Sequence, residues 1–206
     1  MVSDAARGLP VWGGYVLPVV GLSFAEGATI GVKPEIRDAF VAALGSTARL
    51  PSLDRPALLR VLRVARQHAP HAFTLAGDVL AADATSLREP VTVARAELIT
   101  ADDPAALTLR HRFDGAVFGV RGPRGPLISW AALKCKSDTV WEVAVATEPE
   151  YRGRGYARDV VAAAARYTIE NGKVCLYVHD HDNRSSAFVA RALGFTRYAE
   201  IVLAEY

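Results

Sequence analysis

Cysteine and excess charge are both scarce in this sequence. Cys135 and Cys175 are the two cysteines among 206 residues, and neither belongs to a C-x-x-C pair. That distribution argues against a structural zinc site or a redox motif and favours two reduced, buried thiols in a cytoplasmic protein. Lysine and arginine number 24 against 22 aspartates and glutamates, which leaves a formal charge of +2. General nucleic-acid binders carry a larger or more clustered positive excess, so we expect no nucleic-acid partner.

Long hydrophobic runs are also missing, since no stretch approaches the roughly 18 apolar residues of a membrane span. The nearest candidate, residues 10–25, could be either the apolar region of a signal peptide or a buried strand. Gly13, Gly14 and Pro18 interrupt it. Asp4 also lies where a signal peptide would be positively charged, so the strand is favoured. We expect no membrane partner and a cytoplasmic location.

The composition itself is that of an ordinary globular protein. Hydrophobic residues make up 51% and charged residues 22% of the chain, which excludes a disordered, collagen-like or fibrous protein. At a typical ~150 residues per domain, the length allows either one enlarged domain or one domain with a substantial extension.

The first 89 residues indicate a small mixed unit of strands and helices. Residues 15–23 are apolar enough for a strand, and Pro34 begins a helical pattern. A second helix follows a connector, and its predicted apolar face consists of Leu58, Leu59, Leu62 and Ala65. Gly77-Asp78 predicts a hairpin turn between two short strands in residues 73–82, although the usual dipeptide signal has the reverse order.

From residue 90 onward, the pattern is one of strands and amphipathic helices. A strand is predicted over 91–99, and Asp103 with Pro104 supplies the N-cap and first position of a helix that runs to His111. The remaining elements follow in the order β-β-β-α-β-α-β, at 115–121, 127–135, 139–147, 156–170, 174–178, 184–192 and 195–205. We therefore predict two domains, 1–89 and 90–206.

The loop between the strand at 139–147 and the helix at 156–170 has the composition of a phosphate-binding turn. It contains Arg152-Gly153-Arg154-Gly155-Tyr156-Ala157, and Arg158 follows. Glycines allow a tight turn and close approach of a ligand, and the free N–H groups of a helix start favour an anion. The alternative is an ordinary strand-to-helix turn with surface arginines. Dinucleotide-binding G-x-G-x-x-G and P-loop motifs are both absent.

Together with its flanking segments, this loop resembles the GNAT superfamily of N-acetyltransferases. Arg152-x-x-Gly155-x-Ala157 matches the family's R/Q-x-x-G-x-G/A motif, and Val145-Ala146-Thr147 stands where the fourth strand of that fold ends. Asn183 to Ser186, followed by Gly194-Phe195, matches a later family segment. The resemblance covers residues 90–206. It implies an α/β (α+β) fold with a mostly antiparallel central sheet flanked by helices, preceded here by the small mixed N-terminal unit.

The resemblance also implies an acetyl-CoA site. The amides of the turn would hold the pyrophosphate, from residues Gly153, Arg154, Gly155, Tyr156 and Ala157, with Arg152 supporting the loop. The strand end at Val145, Ala146 and Thr147 would splay from the next strand and pair with the pantetheine arm. Asn183, with Ser186 in the same segment, would contact the pantetheine or nearby backbone. An N-cap for the following helix is the alternative for Asn183.

The resemblance also directs attention to candidates for the general acid and the general base. Glu142 lies on the strand where family members often carry a general base, and we expect partial burial to raise its pKa. The alternative is a Glu that faces solvent or pairs with an arginine. The family's usual acid, a tyrosine seven residues after the asparagine, is replaced by Ala190. Tyr177 is the substitute we name, with Tyr156 and Tyr198 as other options; a water molecule as the acid, or departure of the thiolate without one, is the remaining alternative.

A metal site is not expected. In His179-Asp180-His181-Asp182 the two histidines share a face of an extended segment, as zinc ligands can, but no third ligand is evident. A loop leading into the next helix is the better interpretation.

These observations predict an enzyme that transfers an acetyl group from acetyl-CoA to an amine. The acceptor would be a small molecule or peptide, which attacks the thioester directly in a ternary complex. A non-catalytic acyl-CoA-binding sensor or regulatory module is the alternative, which the loss of the usual tyrosine favours. A homodimer is left open.

Overall fold

A computed structural model describes residues 1–11, 14–44, 55–91, 93–123 and 125–205. The chain divides into two compact units. The first comprises Met1–Val79 and the end of the chain from Tyr198, and the second comprises Leu80–Arg197. These bounds differ from the predicted 1–89 and 90–206, because the first boundary falls earlier and the closing residues belong to the first unit. The assignment of acyl-CoA binding to one domain stays a prediction.

The first unit is a mixed sheet with two helices. Its elements are β1 (Val2–Ser3), β2 (Val19–Phe24), β3 (Gly27–Val32), α1 (Arg37–Leu44), α2 (Arg55–His68) and most of β4 (Phe73–Ala82) and β10 (Thr196–Glu205). β2 pairs antiparallel with both β3 and β10, whereas β1 pairs parallel with β3. The helices bury their apolar side chains with those of the sheet in one core that includes Ile30, Phe40, Val61 and Val202.

One prediction for this unit is wrong, and another is wrong in part. Residues 73–82 form one continuous strand, because Gly77 keeps a negative φ and Gly-Asp in this order is a weak turn signal that strand pairing overrides. Of the predicted apolar face of α2, Ala65 is buried and Leu62 is half-buried, whereas Leu59 is 57% exposed and the side chain of Leu58 lies outside the described residues. Val61 and Val64, which were not predicted, are buried with Ala65, and these three residues have the i, i+3, i+4 spacing of one helix face.

The second unit contains the elements around the predicted acetyl-CoA loop. They are β5 (Glu97–Leu98), α3 (Pro104–Arg110), β6 (Val117–Arg121), β7 (Leu127–Cys135), β8 (Val140–Thr147), α4 (Tyr156–Glu170), β9 (Val174–Asp180) and α5 (Arg184–Ala192). β5, β6, β7 and β8 pair antiparallel in that order, and β9 joins β8 in parallel. Val160, Val161 and Ala164 of α4 pack against this sheet in a core with Leu133 and Val143. The predicted α/β (α+β) class, with a mostly antiparallel sheet and flanking helices, is confirmed.

Local signals predicted most of these elements well. α4 and α5 have the predicted bounds, and the Asp103 carboxylate accepts the hydrogen bond of the Ala105 N–H as the N-cap of α3. The predicted strand at 91–99 is wrong for most of its length, since it shrinks to Glu97–Leu98. The N–H groups of Val93 and Ala94 instead donate to a side chain, the carboxylate of Asp159.

The described helices are all short relative to a lipid bilayer. The longest, α4, has 15 residues. None combines the length and hydropathy that crossing a membrane would require.

Candidate active site

β8 and β9 separate part-way along their length. Their parallel ladder runs from the Val140–Val174 pair to the Val143–Tyr177 pair. Both strands continue beyond it, β8 to Thr147 and β9 to Asp180. Backbone groups along the separated stretch of β8 therefore lie at an open edge that a ligand can pair with. The pairing ends at Tyr177, so the opening lies between that residue and the ends of the two strands.

The turn after β8 leads directly into α4. Gly153 and Gly155 have φ values of +74° and +96°, in the left-handed region that glycine adopts without strain. Gly155 is the N-cap of α4 and has no side chain with which to cap the helix. The first N–H groups of α4 therefore lack intrahelical partners, and the helix dipole adds partial positive charge at the same place.

The open strand end, the turn and the start of α5 enclose one cavity of about 570 Å³. Most predicted ligand-binding residues line it, namely Val145, Ala146, Thr147, Arg152, Gly153, Gly155, Tyr156, Ala157, Asn183 and Ser186. Tyr177 lines it as well. Arg154 and Glu142 are the predicted site residues that are not part of the lining. The structure thus brings together residues as far apart in the sequence as Val145 and Ser186.

The arginines of the turn have different contacts. Arg152 donates from Nε to the carbonyl oxygen of Thr147 at 3.0 Å, so it connects the turn to the end of β8. The Arg154 guanidinium lies over the Tyr151 ring, 5.6 Å from its centroid. Arg158, in the first turn of α4, lines the cavity. Arg158 therefore supplies positive charge inside the cavity, whereas Arg152 also has a structural role.

Asn183 caps α5. Its Oδ1 accepts hydrogen bonds from the Ser186 N–H at 3.0 Å and from the Ser185 hydroxyl at 2.9 Å. The structure therefore shows Asn183 in the N-cap role, which was the alternative to a ligand contact. The cap places Asn183, Ser185 and Ser186 on the cavity wall, so a contact between the Asn183 amide and a ligand stays a prediction.

Tyr177 is the buried polar group of the cavity. The residue is 1% exposed, and its ring packs against Phe195 with centroids 5.5 Å apart. Its hydroxyl has no hydrogen-bond partner within the described ranges. Burial raises the pKa of Tyr177, while the nearby Ser186 hydroxyl opposes the rise without forming a hydrogen bond of normal geometry. Ala190, at the family's usual tyrosine position, is fully buried in the same core.

Glu142 lies apart from the cavity lining, between two lysines. It is 7% exposed, with Oε1 2.5 Å from Lys134 Nζ and Oε2 2.7 Å from Lys136 Nζ. Burial alone would raise the pKa of Glu142, but the two ammonium groups outweigh it and hold the pKa below its ordinary value. The expected rise is therefore wrong, because the sequence did not reveal that β7 places Lys134 directly opposite Glu142. Its role as a base stays a prediction.

The sequence model of one protein family, described as an acetyltransferase (GNAT) domain, matches residues 58–196, more than half of the chain. The chain belongs to the GNAT acetyltransferase family. The match begins within the stretch predicted as an N-terminal extension. Members of this family use acetyl-CoA as co-substrate. No curated protein matches the chain significantly.

Solved GNAT structures share the fold of this acetyltransferase at low sequence identity. A GCN5-related N-acetyltransferase from Kribbella flavida is 20% identical over 69% of this chain and 62% of its own, with a TM-score of 0.53. A GCN5-related N-acetyltransferase-like protein from Streptococcus suis is 14% identical over 95% of this chain and 88% of its own, with a TM-score of 0.57. The chain thus spans less than two thirds of the Kribbella protein. These likenesses establish the fold.

Several cavity residues of this GNAT acetyltransferase were not predicted. They are Tyr151, Ser185, Phe188 and Val189. Arg158 lines the cavity too, in agreement with its position directly after the predicted phosphate-binding turn. Ser185, Phe188 and Val189 have the i, i+3, i+4 spacing of one helix face, but which face of α5 meets the cavity depends on tertiary packing.

Proposed function

We propose that this GNAT acetyltransferase transfers an acetyl group from acetyl-CoA to the amine of a small-molecule or peptide acceptor. The observation that carries the proposal is the Tyr177 hydroxyl, which is buried, without a partner in the described chain, and located where the cavity enters the opening between β8 and β9. A buried hydroxyl without a partner is costly, so its position favours a chemical role. A cytoplasmic location, the absence of a metal and any homodimer stay predictions.

The cavity residues fit the ligand in two parts. The N–H groups at the start of α4, from Gly153 to Ala157, and the Arg158 guanidinium suit a pyrophosphate, because backbone donors and the helix dipole favour anions. The open edge of β8 at Val145, Ala146 and Thr147 suits the amide groups of a pantetheine arm, which can pair as a strand does.

Direct attack in a ternary complex requires few protein groups. The neutral amine nitrogen attacks the thioester carbonyl carbon, the tetrahedral intermediate collapses, and the carbon–sulfur bond breaks. Tyr177 donates its proton to the departing thiolate and recovers one from solvent, while the nitrogen loses its extra proton to solvent. Because burial raises the pKa of Tyr177, the phenol is protonated at neutral pH and available as the acid.

The remaining role in this mechanism is that of the general base. No carboxylate or imidazole is among the described residues that line the cavity. Glu142 is the predicted base, but its ion pairs with Lys134 and Lys136 stabilise the carboxylate and make it a weak proton acceptor. We therefore expect the acceptor to bind largely as the free amine, with positioning of the two substrates supplying much of the rate.

A non-catalytic acyl-CoA sensor is the second candidate. Two observations favour it: Ala190 occupies the usual acid position deep in the core, and Glu142 is held in ion pairs away from the cavity. Such a protein would bind acetyl-CoA through the same turn but would not transfer its acetyl group, so no free CoA would form.

Calorimetry with acetyl-CoA and a thiol-release assay over a panel of amines distinguish these candidates. We expect acetyl-CoA to bind, and at least one amine to accelerate the release of free thiol. Binding without release for any amine, including peptide N-termini, would favour the sensor. The absence of acetyl-CoA binding to the wild-type protein would overturn both.

A further inference from the structure

A buried carboxylate at the start of α4 has no part in the chemistry proposed above. Asp159 is 4% exposed and lies in the first turn of the helix. Its Oδ2 accepts two hydrogen bonds, from the N–H of Val93 at 3.1 Å and of Ala94 at 2.9 Å. Its Oδ1 is buried and has no hydrogen-bond partner among the residues that the structure describes. Burying a charge is costly unless bonds compensate it, so these two bonds are the main support of the carboxylate.

The residues that Asp159 binds touch the turn itself. A Cβ placed on Gly155 would lie 3.2 and 3.3 Å from the two methyl carbons of Val93. Val93 is therefore in direct contact with the left-handed residue from which α4 begins. The contacts connect in sequence: Asp159 fixes the backbone at Val93, and the Val93 side chain packs against Gly155.

The segment around Val93 is held by contacts with α4 and with the end of α5 rather than by regular secondary structure. We call its described residues, 86–91 and 93–96, the strap. The Arg88 N–H donates to the Leu193 carbonyl at 2.9 Å, and the Arg166 Nε of α4 donates to Glu89 Oε1 at 3.2 Å. Asp159 and Arg166 lie seven residues apart on α4, a rise of about 10 Å. Leu87, Ala94 and Ala96 of the strap also pack against the core, and the Asp159 bonds are its attachment next to the turn.

From these contacts we propose that Asp159 is a positioning residue for the anion-binding turn. Through Val93 it fixes the conformation of Gly155, and with it the direction of the first N–H groups of α4. The proposal rests on the proposed function, in which those N–H groups receive the acetyl-CoA pyrophosphate. A preorganised turn binds without first being ordered, so losing the attachment lowers affinity for ligands that contain a pyrophosphate. Affinity for ligands without one is unaffected.

The charge of Asp159 is separable from its hydrogen bonds. The negative charge of a carboxylate beside an anion site opposes phosphate binding. The charge of Asp159 therefore does not account for a role in binding, whereas its hydrogen bonds can. Asp159→Asn keeps an oxygen that can accept from Val93 and Ala94, whereas Asp159→Ala removes both bonds. A positioning role therefore predicts that the asparagine variant rescues what the alanine variant loses.

The test compares CoA with pantetheine, which lacks the pyrophosphate and nucleotide. Asp159→Ala should weaken CoA binding about tenfold and change pantetheine binding less than about twofold. Asp159→Asn should bind CoA within about threefold of wild type. Asp114→Ala is the matched control: it removes a carboxylate bond to a backbone N–H, that of Cys135, outside the cavity lining. Calorimetry gives both affinities, and thermal melts of each variant verify folding.

Val93→Ala provides a second route if Asp159→Ala does not fold. It keeps the hydrogen bonds but removes the methyl contacts with Gly155, and it should weaken CoA binding several-fold. CoA binding at the wild-type level by folded Asp159→Ala, or by Val93→Ala where the former is unfolded, overturns the positioning role. So does an equal loss of CoA and pantetheine affinity. If the wild-type protein itself does not bind CoA, the proposed function fails instead.

Discussion

The Nε of Arg152 donates a hydrogen bond to the carbonyl oxygen of Thr147 across the turn that follows β8. Thr147 is held from its other side as well, because its hydroxyl lies 2.8 Å from that of the fully buried Ser129 on β7. The end of the open strand is thus attached both to the neighbouring strand and to the anion-binding turn. These bonds fix the end of β8 relative to the anion-binding turn.

Arg152→Ala should therefore weaken acetyl-CoA binding by loosening the turn. A hydrogen bond from a charged donor contributes about 1.5–3 kcal/mol, so we expect a loss of at least tenfold in affinity by calorimetry. Arg152→Gln should lose less, because the glutamine amide can also donate to the Thr147 carbonyl. Equal losses in the two variants would indicate that the positive charge of Arg152, rather than this bond, is what matters.

Gly155→Ala should reduce both stability and acetyl-CoA binding. Its φ of +96° strains an L-residue by about 1–2 kcal/mol. The new Cβ would also lie 2.9 Å from the Arg158 guanidinium and 3.2 Å from Val93. Gly172→Ala is the matched control, since φ is +70° there and no atom lies within 4 Å of a new Cβ. Urea unfolding should show a loss in both variants, and calorimetry a loss of binding in Gly155→Ala alone.

Tyr177→Phe should separate catalysis from binding. The variant removes a buried hydroxyl without a described partner, so the free energy of unfolding should stay equal or rise slightly. Loss of a general acid costs about 10²-fold or more in rate, and thiol release should fall accordingly while acetyl-CoA binds as before. Tyr15→Phe, at an exposed tyrosine outside the cavity lining, is the control. A Tyr177→Phe enzyme with full activity would remove Tyr177 as the acid.

The pH dependence of Tyr177 follows from the direction of its pKa shift. Because burial raises the pKa above its ordinary value of 10.0, the phenol stays protonated throughout the neutral and mildly alkaline range. The rate at saturating substrates should therefore not decline between about pH 7 and 9, and should rise as the acceptor amine loses its proton. A decline within that range in the wild type, absent from Tyr177→Phe, would contradict a raised pKa.

Glu142→Gln should affect stability more than catalysis. Removing one partner of a buried ion pair costs about 3–5 kcal/mol, and we expect the lower end because Lys134 and Lys136 remain partly exposed to water. The lowered pKa of the folded state means that Glu142 stabilises the protein above its ordinary pKa of 4.5 and loses this effect as the pH falls further. Urea unfolding at neutral and acidic pH measures both, with the exposed Glu148→Gln as control. If folded Glu142→Gln releases thiol a hundredfold more slowly than the wild type, Glu142 acts as the base after all.

Sequence patterns predicted the parts of the site that are local in the chain. The bounds of α4 and the glycine turn before it depend on capping and on residues within one turn, so they could be identified directly. The ion pairs of Glu142 could not, since they require the register that places Lys134 opposite it. The strap escaped prediction for a related reason: its alternating pattern indicated a strand, but a carboxylate sixty-five residues away takes up its N–H groups.

The last pair in the β8–β9 ladder has a mechanical consequence. Val143 and Tyr177 form the last pair between the two strands, whereas β8 stays paired with β7 as far as the Ser129–Thr147 pair. The unpaired edge of β8 therefore belongs to a strand that β7 and Arg152 hold in place. An extended ligand that pairs with this edge meets a template of fixed spacing, so it is held in one register relative to the Tyr177 hydroxyl.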